Sequence, residues 1–268
     1  MPLQYVCWII GFLSNRQARV RLHNELSSNK KLHQGVPQGC VLSPLLFLFF
    51  INNLAEKLLS EDKERASNLI FSLFAADVTI LARNHSREKA ATEAQWAVDL
   101  VVEWSVDWKL SLNGSKSEVG FFSTWTKEAP WTPSLQIDSE SVPFNPNPKL
   151  LGVYLERQLS FEKHTSIVTK EAAAKIKIIS AVGNSKWGWN KEHLKKLYFS
   201  YVRSKLDYAG PGWQPWLSTT NIAVLERTQN KALRVVTGQL RNSPLEALYG
   251  NPDPKLCDSY EKKHSEII

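Results

Sequence analysis

A segment rich in glycine and proline has the residue types of a ligand-binding loop. It reads GVPQG from Gly35 to Gly39. Glycine lets a backbone approach a ligand closely, and a glutamine side chain both donates and accepts hydrogen bonds. The same residues also suit an ordinary turn before a helix. Ser43-Pro44 predicts such a helix, with the serine as N-cap and the proline at the first helical position.

A second group of residues suits a polyanion. Between Lys170 and Lys205 the chain carries nine lysines and arginines against two glutamates, an excess of seven that equals its whole net charge. Aromatic residues lie among them. Basic side chains neutralise phosphates and aromatic rings stack on bases, so this stretch predicts contact with nucleic acid. The alternative is a solvated helical face with its aromatic residues in the core.

The elements that must position these residues divide the chain into two halves. In the first we expect a buried helix from Ser43, a hairpin with a tight turn near Asp77 and a helix from Ser86 to Trp108. Further strands are expected over residues 17–22, 109–112, 118–123 and 150–155. The second half reads as three helices, over 166–182, 191–206 and 221–237. Strands followed by helices predict an α+β fold with a domain boundary near residues 156–160.

Composition excludes several classes of protein. The 268 residues, 43% hydrophobic and 22% charged, match ordinary globular usage. Three widely spaced cysteines without metal-ligand spacing argue against a zinc site or a disulfide framework. The longest apolar run, Leu45 to Ile51, is far shorter than the roughly 18 residues of a membrane span, and no signal peptide is recognisable. We therefore expect an intracellular protein with no membrane partner.

Five segments in a fixed order carry a family resemblance. They are GVPQGCVLSP from Gly35, INNL from Ile51, FAADVTI from Phe74, LNGSK from Leu112 and LLGV from Leu150. This order closely resembles the reverse transcriptase domain of non-LTR retrotransposons, whose pattern is GVPQGSVLSPLLF, INDL, FADD on a hairpin, LNxxKT and an LGV strand. Any one segment is weak evidence, but the ordered set is specific. The resemblance implies a partial polymerase palm followed by a helical thumb and connection.

The resemblance implies nucleotidyl transfer from a deoxynucleotide to a primer, with two magnesium ions held by aspartates. It places Lys116 near the triphosphate. The alternative for Lys116 is a solvated lysine at a strand end. The resemblance places Leu151-Gly152 at the primer end, where the alternative is core packing. The nucleotide-binding residues that it implies are Pro37, Gln38 and Gly39.

The implied partners are an RNA template and a DNA primer, in the nucleus or the cytoplasm. Arg16, Arg19 and Arg21 form a basic strand that is expected near the template; its alternative is an exposed sheet face. The lysines that we expect to contact nucleic acid in the helical half are Lys186, Lys191, Lys195 and Lys196.

Two departures from the family pattern predict that this chain alone does not polymerise DNA. Ala76 stands where the first aspartate of FADD belongs, which leaves Asp77 as a remnant and at most a weak metal ligand. The alternative for Asp77 is a simple turn residue. No aspartate occurs before Asp62, and we expect the strand that carries the other catalytic aspartate to precede Met1. Mg²⁺, the cofactor of the family, is therefore not expected to bind stably.

Three hypotheses remain open from the sequence. The chain is a truncated and degenerate reverse transcriptase, a non-enzymatic nucleic-acid-binding remnant that uses the basic helical half, or a gene-model fragment with its N-terminal part upstream. The expected domains are a partial palm over residues 1–156, a helical thumb and connection over 157–250 and a polar tail over 251–268.

Overall fold

The computed structural model describes residues 2–62, 65, 67–128, 130–183, 188–240 and 242–244. Helices and small antiparallel strand pairs alternate along these residues, about half of which are helical, so the expected α+β class is confirmed. Lys186 and the tail over 251–268 lie outside the described residues. Among the helices that are described, none is both long enough and apolar enough to cross a lipid bilayer.

The chain packs into two compact units, each described by itself below. The first unit comprises Met1–Gly114 and Ser134–Ser141, and the second comprises Ser115–Pro133 and Val142–Ile268. The bounds of these packing units differ from those expected for the palm and thumb, and the expected boundary near residue 156 stays a prediction.

The first unit contains three helices and four strand pairs within its described residues. The helices are α1 (Leu3–Leu13), α2 (Ser43–Ser60) and α3 (Arg87–Asp107). The strands are β1 (Gln17–Ala18), β2 (Arg21–Leu22), β3 (Glu25–Leu26), β4 (Lys30–Lys31), β5 (Leu69–Phe74), β6 (Asp77–Ala82), β7 (Gln136–Ile137) and β8 (Glu140–Ser141). They pair antiparallel as β1–β4, β2–β3, β5–β6 and β7–β8.

The core of this unit lies between α2, α3 and the β5–β6 hairpin. Its buried residues are Ile51, Leu54, Leu58, Leu100, Val101 and Trp104. The predicted hairpin and the predicted helix after Ser86 are confirmed. The Ser86 hydroxyl accepts a hydrogen bond from the Lys89 backbone N–H at 3.3 Å, so it caps α3 as such residues commonly do.

Helix α2 is less buried than its composition predicts. Leu54 and Leu58 are fully buried, but Phe49 is 69% exposed and Leu45 and Leu48 are also exposed. One stripe of the helix therefore faces the core, and the expectation of a buried helix is wrong for the opposite side. The reason is that α3 and the hairpin cover one side of α2 only.

The single basic strand expected over residues 17–22 is also wrong. The structure divides it into β1 and β2, which pair with different partners. The break is local, because the Val20 N–H donates to the Ser27 hydroxyl and the Ser27 N–H donates to the Val20 carbonyl, both at 2.9 Å. His23 then turns the chain back with a φ of 54°. All residues from 17 to 22 are exposed, so no apolar face is buried.

The second unit is mainly helical. Its helices are α4 (Glu162–Val182), α5 (Lys191–Leu197), a π-helical turn (Tyr198–Arg203), α6 (Ser204–Leu206), α7 (Gly210–Trp213) and α8 (Thr219–Thr237). Its strands are β9 (Lys149–Leu150) and β10 (Val153–Tyr154), which form an antiparallel pair. The three predicted helices are confirmed. They enclose a core to which α4 contributes Ile176 and Ile179, the π-helical turn Tyr198 and Val202, and α8 Leu225 and Leu233.

Three further predicted strands are wrong. Residues 109–112 and 118–123 form no strand, and Val119 makes only an isolated bridge to Phe144. After α3 the chain turns at Lys109, whose φ is 54°, and then enters a 3₁₀ turn at Gly114–Lys116. The strand expected over 150–155 is instead the β9–β10 hairpin, because Leu151 and Gly152 take positive φ values of 45° and 91°. Two consecutive residues with positive φ are typical of a tight hairpin turn.

Candidate functional site

The tip of the β5–β6 hairpin carries Ala76, which departs from the family pattern, and Asp77, which matches its second aspartate. Strand pairing extends to Phe74 and Asp77, which face each other across the ladder, so Ala75 and Ala76 form the turn. Leu73 and Val78 pack against the core of the first unit. Because side chains alternate along a strand, Asp77 lies on the opposite face, where it is exposed. Asp77 is therefore the first residue of β6 and follows the turn.

The residues at this tip do not fit a pair of magnesium ions. Magnesium in proteins takes oxygen ligands, typically one or two carboxylates together with substrate phosphates. Ala76 offers no side-chain ligand, which leaves the Asp77 carboxylate. Nowhere in the described ranges do three aspartate, glutamate, histidine or cysteine side chains come together as a metal-binding group. The two-metal arrangement that the resemblance implies has no counterpart among these residues.

The GVPQG segment is a loop that leads into α2. Gly35 and Gly39 take φ values of 77° and 85°, a region that glycine adopts without a steric penalty. The Ser43 side chain, which is buried, donates a hydrogen bond to the Pro37 carbonyl at 2.5 Å. The predicted N-cap role of Ser43 is wrong, because α2 already begins at Ser43 and the hydroxyl is directed to the loop. Pro44 lies in the first turn of α2, but as its second residue rather than its first.

Arg16 holds the same loop from the other side. Its Nη2 donates to the carbonyls of Gly35 at 2.6 Å and Gln34 at 3.2 Å, and its Nε donates to the Leu13 carbonyl at 3.0 Å. A guanidinium has five N–H donors in a fixed plane, so one arginine can join several backbone carbonyls. Arg16 thus connects the end of α1 to the GVPQG loop.

An open groove of about 520 Å³ lies along this connection. Its lining residues are Arg16, Gln17, Leu32, Gln34, Val36, Pro37 and Gln38. The structure therefore brings together one predicted template-binding residue and two predicted nucleotide-binding residues. Arg19 donates to the Asn29 side chain, and Arg21 is exposed on β2. Their contact with nucleic acid stays a prediction.

The predicted primer-grip residues form the turn of the β9–β10 hairpin in the second unit. The Tyr208 hydroxyl donates to the Leu151 carbonyl at 2.8 Å. A Cβ placed on Gly152 would lie 3.1 Å from the Tyr208 ring, so the turn and the ring approach closely. Leu151 is 43% exposed, so the alternative that it packs in the core is wrong. Sequence reasoning missed Tyr208 because it lies 57 residues from Leu151.

The predicted lysines lie on exposed turns and helices. Lys116 is exposed on the 3₁₀ turn at Gly114–Lys116, in a different unit from Asp77. Three others lie on α5, where Lys191 and Lys196 are exposed and Lys195 is half-buried. Asn190 caps this helix, because its side chain accepts from the His193 N–H at 3.0 Å. The helix therefore has a capped N-terminus and carries three lysines along its length.

A second open groove, of about 430 Å³, was not foreseen from the sequence. It lies within the second unit and is lined by Lys149, Gly152, Lys175, Ser204, Lys205 and Tyr208. One signal in the sequence pointed towards it, since Glu171 and Lys175 are four residues apart and therefore share a face of α4. Nothing local in the sequence connects that face with Lys149 or Lys205.

Comparison with known proteins supports the family resemblance. A model of the family "Reverse transcriptase (RNA-dependent DNA polymerase)" matches residues 2–177. The match covers more than half of the chain, which therefore belongs to the reverse transcriptase family. Together with the relatives described next, it identifies a reverse transcriptase domain of the non-LTR retrotransposon kind.

Similar proteins come from mobile elements of flies. The probable RNA-directed DNA polymerase from transposon X-element of Drosophila melanogaster is 29% identical over 99% of this chain and 28% of its own length. The probable enzyme from transposon BS of the same species is 25% identical over 88% of the chain and 26% of its own length. The RNA-directed DNA polymerase from mobile element jockey of Drosophila funebris is 25% identical over 86% of this chain and 25% of its own length. The chain thus matches about a quarter of the length of these relatives.

Proposed function

We propose that this chain is a palm and thumb portion of a reverse transcriptase domain that does not polymerise DNA when tested by itself. The observation that carries the proposal is Ala76 at the tip of the β5–β6 hairpin, where the family pattern has an aspartate. Asp77 is the carboxylate that remains at this tip. Two-metal nucleotidyl transfer requires more than one carboxylate ligand. Stable binding of Mg²⁺ at the tip is therefore not expected.

The proposed palm is the segment over residues 1–156, and the proposed thumb and connection is the segment over 157–250. Pro37, Gln38 and Gly39 are the proposed contacts to the incoming nucleotide. This role is supported by the open groove along the GVPQG loop and by the positive φ at Gly39. Lys116 is the proposed contact to the triphosphate, supported by its exposure. The Leu151-Gly152 turn is the proposed contact to the primer end.

Primer extension on an RNA template tests the proposed lack of activity. The full chain is incubated with a primed template, deoxynucleotides and either Mg²⁺ or Mn²⁺, and product is compared with a reaction that lacks the protein. We expect no incorporation above that background. Ala76→Asp is expected to leave the result unchanged, because a second aspartate at the tip does not supply the ligand from the strand implied by the resemblance. Incorporation by the wild-type chain that disappears in Asp77→Ala would overturn the proposal.

A second proposed function is nucleic-acid binding without catalysis, carried by the basic helical half. It is supported by the charges of Lys191, Lys195 and Lys196 on α5 and by two exposed aromatic side chains near them. Trp189 is 54% exposed and Tyr201 is 37% exposed. Positive charge together with accessible rings is typical of a surface that binds single strands, and the positive charge alone also suits the phosphates of a duplex.

Binding of a labelled RNA–DNA hybrid duplex over a range of salt concentrations tests this second function. We expect affinity to fall steeply with salt, because bound phosphates release counterions. Replacing Lys191, Lys195 and Lys196 together by alanine is expected to weaken binding and to reduce the salt dependence. A matched control replaces three exposed lysines outside the predicted site, namely Lys89, Lys109 and Lys127. Equal losses in the two triple variants would contradict a specific role for α5.

A further inference from the structure

The groove in the second unit concentrates lysines from three separate elements. Lys149 comes from β9, Lys175 from α4 and Lys205 from α6, and all three line the same cavity of about 430 Å³. Ser204 and Tyr208 also line the cavity, but their hydroxyls donate to the carbonyls of Ser200 and Leu151, so the lysines are the groups that would meet an anion. Three lysines that line one groove have the composition of a phosphate-binding surface, since lysine binds phosphate as a compact point charge.

Two of these lysines lie over aromatic rings. The Lys175 ammonium is 4.4 Å from the centre of the Tyr201 ring, and the Lys149 ammonium is 5.2 Å from the centre of the Tyr154 ring. Cation–π contacts at exposed sites are weak. Such a ring contact orients a lysine but supplies no opposite charge to it.

The third lysine is paired with a carboxylate of the same unit. The Lys205 Nζ is 2.7 Å from the Glu171 carboxylate, and about half of the Glu171 side chain is exposed. The hydrogen bond from Lys205 is the main cause of a lowered pKa of Glu171, and the charges of Lys175 and Lys149 lower that pKa further. All three lysines therefore act on this one carboxylate, which supplies the negative charge that a phosphate would supply.

We propose that Lys149, Lys175 and Lys205 bind a backbone phosphate of a nucleic-acid strand, and that Glu171 competes with this phosphate for Lys205. The inference rests on the second proposed function, since it takes nucleic acid as the partner. It adds a site that is separate from the lysines of α5 and an internal anion that lowers the affinity of that site. An exposed ion pair contributes little to stability, so Lys205 can exchange its partner readily.

The predicted signature is a gain of binding when the competitor is neutralised. In the full chain, Glu171→Gln is expected to bind a labelled RNA–DNA hybrid duplex about twofold to fivefold more tightly, the range that corresponds to an exposed ion pair. Glu226→Gln, at an exposed position of α8, is the matched control for loss of one negative charge and is expected to have a smaller effect. Misfolding cannot imitate this result, because a damaged groove loses affinity.

Removal of the lysines provides the complementary measurement. Lys205→Ala is expected to weaken binding and to reduce the slope of log affinity against log salt by about one, the effect of losing one phosphate contact. Lys177→Ala, at an exposed position of the same helix as Lys175, is the control. In the Lys205→Ala background the gain from Glu171→Gln is expected to disappear, because the two residues act through the same ammonium group.

Two results would overturn the inference while the second proposed function stands. One is that Glu171→Gln binds no more tightly than Glu226→Gln while the triple variant of α5 loses affinity. The other is that Lys205→Ala weakens binding, and reduces its salt dependence, no more than Lys177→Ala does. If the wild-type chain and the Glu171→Gln variant both fail to bind the duplex at low salt, both proposals are wrong.

Discussion

The Arg16 guanidinium donates a hydrogen bond of 2.6 Å to the carbonyl of Gly35, and its Nε donates to the Leu13 carbonyl at the end of α1. Helix α1 has no buried residue. The link through Arg16 is therefore a principal constraint between this helix and the GVPQG loop. Arg16, which the sequence predicts to lie near the template, thus has a structural role: it holds the loop that is proposed to bind the nucleotide.

Arg16→Ala is expected to increase the mobility of the GVPQG loop. Loss of hydrogen bonds from a charged, partly exposed donor corresponds to about 1 kcal/mol of local stability, or roughly fivefold faster amide exchange. Hydrogen–deuterium exchange of peptides that span the loop measures this change. Arg21→Ala, at an exposed position of β2, is the control and should leave the loop unchanged. Identical exchange in wild type and Arg16→Ala would contradict the structural role.

Ser43→Ala is expected to destabilise the first unit. The buried hydroxyl donates to the Pro37 carbonyl, and such a hydrogen bond contributes about 1 kcal/mol. Urea unfolding monitored by tryptophan fluorescence measures the loss as a lower midpoint at an unchanged slope. Ser60→Ala removes an exposed hydroxyl at the far end of α2 and should cost less. A midpoint for Ser43→Ala that equals that of Ser60→Ala would show that the loop contact adds no stability.

Gly152→Ala is expected to destabilise the second unit for two separable reasons. The residue has a φ of 91°, and its new Cβ would lie 3.1 Å from the Tyr208 ring. A left-handed conformation costs an alanine about 1–2 kcal/mol, and the crowded ring adds to this. In the Tyr208→Ala background only the backbone cost remains, so the cost of Gly152→Ala should be smaller there. Strictly additive free energies of unfolding would show that the ring contact is unimportant.

The stability of the second unit is expected to fall in acid because of His164. This side chain is buried against Trp213, with ring centres 4.7 Å apart, and its Nδ1 accepts from the Tyr154 N–H at 3.4 Å. Burial lowers the pKa of His164 from 6.5, and the charge of Lys205 lowers it further. As the pH falls through the unfolded value, the unfolded chain takes up the proton before the folded chain does. Stability is therefore full above this pH and declines below it.

His164→Phe tests this pH dependence because phenylalanine retains an aromatic ring but cannot titrate. Free energies of unfolding are measured between about pH 5 and about pH 8 for the wild type and the variant. The difference between the two proteins should narrow towards acid pH, since only the wild type loses the contribution of neutral His164. His33→Phe, at an exposed histidine, is the control. A constant difference between wild type and His164→Phe at every pH would contradict the prediction.

The elements that sequence patterns predicted correctly are those with strong local signals. The hairpin of β5 and β6 is marked by two apolar runs around a short turn, and α3 by the Ser86 cap and a helical apolar stripe. The strand expected over residues 17–22 failed because the two-residue strands found there carry almost no periodicity, and residues 109–112 form no strand. Backbone turns at His23 and Lys109 redirect the chain through positive φ values, which cannot be predicted from these residue types.

The residues of the candidate site likewise divide into those that local sequence signals predicted and those that only tertiary packing brought together. The sequence by itself determined the family, the alanine at position 76, the basic character of the helical half and most of its helices, because each depends on residue identity or local spacing. Only the tertiary structure decided that Arg16 holds the GVPQG loop, that Tyr208 supports the Leu151-Gly152 turn and that Lys149 meets Lys205 in one groove. These residues are far apart in the chain, so their contacts depend on how separate elements pack, which no local pattern encodes.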